Sequence, residues 1–256
     1  MIKLHLEDRI ATLVLDRPEK RNALDDRMAK SLFEHLNSLK DNADCKVLVI
    51  KAHGEAFCAG ADLEYLQKLQ SYSYEENLAD SRALMSMFRL LHNFPKLTIS
   101  QVEGPALAGG CGLAGLCDFC FATPASKFGY TEVKIGFIPA IVSVFLGPKI
   151  GDNLAKRMLL TGDVFSASQA LEMGLVTEIV EAGAIEARVR DFAENLVKST
   201  SAQSVELTKA LLSDIKGKPL DEQLDMAAKA NAMARGTEDC KRGISAFLNK
   251  EKINWN

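Results

Sequence analysis

The chain has 256 residues, 47% of them hydrophobic and 25% charged, with a formal net charge of -3. That balance belongs to a globular protein with a sizeable core, and mixed charge without a basic stripe excludes a nucleic-acid surface. No apolar run approaches the ~20 residues of a membrane span, and Met1-Ile2-Lys3-Leu4-His5-Leu6-Glu7 enters strand-like alternation without a signal-peptide region, so the chain reads as cytoplasmic, with no membrane partner.

In chain order, the first clear element is a strand over 10–15, closed by Asp16-Arg17-Pro18. Asp25 then caps a helix with Met28, Leu32, Phe33, Leu36 and Leu39 on one face. An unbroken apolar strand over 46–51 follows, of the kind covered on both faces. Strand, helix, strand makes the N-terminal half α/β. Next, His53 to Leu63 is a loop of small residues feeding a helix, with Asp62 placed to cap it. A polar loop over 70–77 precedes a helix bearing Leu84, Met85, Phe88, Leu91 and Phe94, which must end before Pro95.

A strand over 97–102 delivers Gly104-Pro105-Ala106-Leu107-Ala108-Gly109-Gly110-Cys111-Gly112-Leu113-Ala114-Gly115. Glycines between a strand and a helix start leave backbone N–H groups unpaired, which outlines an anion or oxyanion site. The stretch contains a literal GxGxxG from Gly110 to Gly115. A dinucleotide site needs that motif directly after the strand and then a full helix. The next strand-like run, over 119–123, leaves no room for a crossover helix, so that reading is rejected. Cys117 and Cys120 form a lone CxxC among six cysteines, read as buried thiols; the four histidines are scattered, and no metal site is expected.

Residues 127–133 read as short and extended, 136–140 as a loop, and Ser166-Ala167-Ser168-Gln169 as a capping box opening a helix that stops at Gly174, before a strand over 175–180. From Ala184 onward the pattern is helical. The organisation expected is an α/β core over 1–183 and a helical region over 184–256, without a flexible linker between them.

Along nearly its whole length the chain resembles the crotonase (enoyl-CoA hydratase/isomerase) superfamily. The residues that carry the resemblance are Arg17-Pro18-Glu19-Lys20-Arg21-Asn22-Ala23-Leu24, the stretch 56–63, Gly104 to Cys111, Phe128-Gly129-Tyr130-Thr131-Glu132, Phe165-Ser166-Ala167 through Val176, and Gly243 to Leu248. The resemblance implies an α/β fold, a crotonase-like spiral of ββα repeats with a C-terminal helical trimerisation region, assembled as a homotrimer or homohexamer. It implies an acyl-CoA thioester substrate, with coenzyme A as part of the substrate and no separate cofactor. The thioester oxygen would accept from the N–H groups of Ala61 and Gly109, donors of the kind that stabilise an enolate, and Glu132 would be the acid/base.

Substrate contacts are implied at Leu24, Ala59, Gly60, Gly110, Gly112, Tyr130 and Pro139. Lys20 and Arg21 match a CoA-contacting loop, and Phe247 and Lys250 match positions that close over CoA from a neighbouring subunit. Pocket walls fall at 66–77 and 138–145. Hydratases of the family that use two glutamates carry the first at the position of Gly112, so here one carboxylate does both jobs or the reaction differs; a 3-enoyl to 2-enoyl isomerase needs only one. A restored carboxylate at 112 is expected to sit opposite Glu132. The run from Glu132 to Ser143 is similar to bacterial 3-methylglutaconyl-CoA hydratases. A catalytically weak acyl-CoA-binding protein is the non-enzymatic alternative.

Overall fold

The computed structural model describes residues 1–256. The 10–15 run becomes β2 (Ile10–Leu15), antiparallel to β1 (Ile2–Glu7) and parallel to β3 (Val47–Ala52). Beyond β3 lie β4 (Leu97–Val102), β6 (Phe119–Ala122) and β9 (Glu178–Ile179), all parallel, in the sheet order β1-β2-β3-β4-β6-β9.

Period-2 alternation sends the two faces of these strands into different cores. Ala11, Leu13, Leu15, Leu48 and Ile50 join the larger one, with Met28, Leu32, Leu36 and Leu39 of α1 (Asp26–Lys40) and Met87, Phe88 and Leu91 of α3 (Tyr74–His92). Ile10, Val47, Val49, Ile99 and Phe121 face the other way, onto Ile185, Val189, Ala193 and Val197 of α8 (Ile185–Ser199). Thus α8 belongs by packing with the sheet, and the C-terminal helices that bury no residue are α9 (Ala202–Asp214) and α10 (Leu220–Arg235). The last helix, α11 (Glu238–Leu248), packs on α9 and α10.

A second, three-stranded sheet carries the site: β5 (Pro105–Leu107), β7 (Lys127–Gly129) and β8 (Val164–Ser166), ordered β5-β7-β8. Between β5 and β6 the glycine stretch forms α4 (Gly109–Leu116). This corrects the expectation that no helix fits before the 119–123 strand: the glycines themselves are the crossover helix. Six of its eight residues are buried, so close packing rather than helix propensity holds it.

Other expectations shift locally. The supposed loop over 70–77 ends at Ser73, whose hydroxyl and Glu76 complete a capping box for α3. Phe33 and Met85 lie at the exposed margin of their helices. Extended chain stops at Gly129, and Glu132 opens a 3-10 turn over Glu132–Ile135. Residues 140–161, which gave no element from the sequence, form α5 (Ala140–Ile150) and α6 (Asp152–Thr161). The Ser166 capping box does open α7 (Ala167–Glu172), but the strand beyond it is only β9.

Five cysteines are buried as free thiols and Cys240 is partly exposed. Burial pushes the thiols of Cys58, Cys111 and Cys117 up to about 12, which keeps them protonated and unreactive. A thiol-specific reagent should therefore titrate at most one cysteine in the native protein and all six after denaturation; rapid native labelling of Cys111 or Cys117 would contradict this packing.

Candidate active site

Three loops are held side by side by a buried polar cluster. Asn22, fully buried in left-handed backbone (φ 54°), donates to the carbonyls of His53 and Ala56 at 2.8 Å each and accepts from the Arg17 N–H at 2.8 Å. The Arg17 guanidinium lies 3.1 Å from Asp25 and 2.9 Å from Asp62. Both carboxylates cap helices: Asp25 accepts from Met28 N–H of α1, and Asp62 from Glu64 and Tyr65 N–H of α2 (Leu63–Leu69). Burial alone would raise the Asp62 carboxyl, but the two amides and Arg17 outweigh it and hold the group below its ordinary range.

With the loops clamped, their main chains pair as a ladder. Leu24 N–H donates to Gly60 O at 2.7 Å, and Leu24 O accepts from Asp62 N–H at 2.9 Å. On the far side, Cys58 N–H donates to Pro105 O at 3.2 Å and Leu107 N–H to Cys58 O at 2.9 Å. Because residues 60 and 62 spend these groups on Leu24, the Ala61 N–H between them points to the opposite side, toward the Ala108–Gly109 turn. Ala61 is exposed, and its N–H donates to no protein acceptor.

The second junction is built by close approach. Gly60 has φ +98°, and a Cβ there would stand 2.9 Å from Ala108 Cβ; one at Gly110 would stand 2.3 Å from Cys58 O. Only glycine lets α4 seat on the 58–62 loop. Ala108 adopts φ 50°, ψ -125°, a conformation costly for a residue with a Cβ, and turns the chain into α4. Gly109 is the first residue of that helix, so its N–H has no intrahelical partner and no other acceptor within the protein. Two unpaired amides thus meet where the two turns abut, a donor pair suited to an oxygen that gains negative charge.

Glu132 follows β7, the strand paired with β5 in the same sheet. Its Oε2 is buried without a hydrogen-bond partner, and burial raises its pKa above the ordinary carboxylate value, opposed only by its own backbone N–H. Gly129, three residues before Glu132, accepts from the Ala108 N–H at 2.7 Å, which ties this segment to the donor turn. A desolvated carboxyl without a partner, on a segment tied to a turn that carries free amides, suits an acid/base working with an oxyanion site.

The other predicted residues divide. Leu24, Ala59, Gly60 and Gly110 build the donor loops, and Pro139 precedes α5 as its N-cap. Tyr130 differs from the expected substrate contact: it is fully buried, with its hydroxyl against Cys111, and supports the site from behind. Lys20 pairs with Glu64 at 2.5 Å, and Arg21 is exposed at φ 50°. Phe247, 82% exposed, and Lys250 stand on the surface at the end of α11.

Gly112 requires a correction: a Cβ at that position would lie 2.3 Å from Val142 Cγ1 and 3.4 Å from Phe88 Cε1, so no carboxylate fits there without displacing Val142. Sequence reasoning put Val142 in a pocket-wall segment without singling it out, and it missed Arg17 and Asn22 as parts of the site. The first belongs to a helix that the sequence did not reveal, and the other two act through the loops they tie.

The chain is similar to known proteins along its whole length. A family model described as "Enoyl-CoA hydratase/isomerase" matches residues 5–256. A Thermus thermophilus relative that carries an enoyl-CoA hydratase name is 41% identical over 94% of this chain and 95% of its own. The crotonyl-CoA hydratase of Syntrophomonas wolfei is 32% identical over 99% of this chain and 97% of its own. The crystal structure of an enoyl-CoA hydratase from Shewanella pealeana superposes with a TM-score of 0.94 at 34% identity, covering 99% of this chain and 95% of that one.

The raised pKa of Glu132 has a thermodynamic signature. At about pH 4 and below, both folded and unfolded chains hold the proton. As pH rises through the ordinary carboxylate range the unfolded state releases it while the folded state retains it, so wild-type stability falls until the folded pKa is passed. Glu132→Gln should therefore melt like the wild type at low pH and above it at neutral pH; a constant difference across the range would contradict the desolvation. Asn22→Ala, which strands the buried Ala56 carbonyl, should cost about 1–3 kcal/mol in urea unfolding.

Proposed function

Since the chain belongs to the enoyl-CoA hydratase/isomerase family, we propose that it is an enoyl-CoA hydratase that adds water across the 2,3-double bond of an acyl-CoA thioester, or removes it, with Glu132 as the single acid/base. The observation that carries this reading is the orphaned Glu132 Oε2, on a segment tied through the Gly129 carbonyl to the Ala108–Gly109 turn, together with the free N–H groups of Ala61 and Gly109.

The thioester oxygen accepts from both amides. As water attacks Cβ, Glu132 takes one water proton, the π electrons of the double bond move to the thioester oxygen, and the amides hold the enolate. Enolate collapse then draws the proton from Glu132 to Cα. One carboxyl doing both jobs adds hydroxyl and proton to the same face. Its raised pKa suits it, because a group that must both take and return a proton works best near the operating pH.

A second reading, 3-enoyl to 2-enoyl isomerisation, is favoured by the apolar surroundings of Gly112: a lone base moving a proton between C2 and C4 needs no second carboxylate. A branched substrate such as a 3-methylglutaconyl thioester fits the similarity of the Glu132–Ser143 run.

For the rest of the substrate, the exposed cation of Arg21, with Lys20 beside it, would meet CoA phosphates. Leu220, Leu224, Met233, Ile244, Phe247 and Leu248 are all more than half exposed on α10 and α11, an apolar surface of the kind that subunits bury. A homotrimer or homohexamer would cover it and bring Phe247 and Lys250 to a neighbour's CoA. No helix is long and apolar enough to cross a membrane.

Glu132→Gln should lower turnover by orders of magnitude while thioester binding stays nearly intact, because a proton-transfer group acts in the transition state. Unchanged turnover would remove Glu132 from the mechanism. Product analysis in deuterated water with 2-enoyl, 3-enoyl and 3-methylglutaconyl thioesters separates the readings. Hydration should deliver one deuteron to Cα on the face that receives the hydroxyl, whereas isomerisation should move the double bond without adding oxygen.

A further inference from the structure

Gly109 and Gly112 lie three residues apart on α4 and therefore share a face. Three apolar side chains roof that face. Leu24 Cδ1 stands 3.1 Å from the place of a Cβ on Gly109, Phe88 Cζ 3.9 Å from the same place, and Val142 Cγ1 only 2.3 Å from the place of a Cβ on Gly112. All three side chains are buried, Val142 to 5% of its surface. The Val142 methyl closes the Gly112 side of α4. Glycine at 112 and valine at 142 thus form one packing unit, in which the absent side chain of one residue is the space taken by the other.

That unit stands one helical turn from the Gly109 N–H. If the thioester oxygen is held there, the first carbons of the acyl group run along the face that Val142 roofs. We propose that Val142 is a specificity-determining residue, which limits the bulk of the substituent on the β-carbon of the enoyl thioester to about one methyl group. The inference rests on the thioester reading given under Proposed function and adds to it the wall that selects among thioesters. A close-packed hydrocarbon wall discriminates by volume, and one methylene against such a wall changes kcat/KM by about 10- to 200-fold. The wall also turns away charge, so a carboxylate-bearing arm on the β-carbon would lie on the side away from Val142, with a methyl group facing the wall.

The test compares kcat/KM for three 2-enoyl-CoA thioesters that carry hydrogen, methyl or ethyl on the β-carbon. In the wild type the ethyl compound should be at least about tenfold poorer than the methyl one. Val142→Ala should raise the ethyl-to-methyl ratio about tenfold or more. Should that variant not fold, Val142→Ile adds a methylene to the wall and should depress the methyl compound against the unbranched one by a similar factor. Either ratio left unchanged in a folded variant, or a wild type that prefers the ethyl compound, overturns the assignment. A wild type that turns over none of the three, with Glu132→Gln no different, would instead sink the thioester reading.

Discussion

Arg17 is the interaction on which the site depends. Its guanidinium is shared between Asp25 and Asp62, with only 11% of the side chain exposed. Neither acid is a free surface charge, because each already caps a helix. One cation therefore fixes the starting points of α1 and α2 relative to each other. Burying charge is costly, and a partly buried ion pair is poor evidence of net stability. Its effect here is registry: the 17–24 and 58–62 segments can pair through Leu24 in one alignment, and that alignment leaves the Ala61 N–H facing α4. A one-residue slip would reverse which amide is free.

Much of this was legible because its signals are local. Asp25 and Asp62 read as caps and do cap, and the strand at Leu97–Val102 has the predicted ends. The glycine stretch was legible as a donor site but not as a helix. Glycine disfavours a helix by about 1 kcal/mol per residue, and only the fit of Gly110 on Cys58 and Gly112 on Val142 offsets that. Helices α5 and α6 were hidden for a different reason: α5 is apolar on most sides and carries Pro148 within it, so neither a stripe nor a clean stop marks it. Glu132 stood out by its context. Its desolvation did not, since the burial of one carboxyl depends on the segments packed around it.

Gly112 shows how far a single position can mislead. Read alone, it looks like a deletion, a carboxylate replaced by nothing. In the fold it is an occupied place: Val142, thirty residues along the chain, supplies the methyl group that fills it. The two positions carry one constraint, and a change at either is felt through the other.

Both unpaired amides, at Ala61 and Gly109, belong to the main chain, and this has an evolutionary consequence. No codon change short of one to proline erases a backbone N–H, so mutation can rewrite the side chains that face the pair and leave the pair itself in place, provided the residues that clamp its loops are kept. A lineage starting from this scaffold would explore new acids, bases and pocket walls while inheriting the same polarising centre. An alanine scan of the chain would register this feature only through the residues that hold its loops, never by removing the donors themselves.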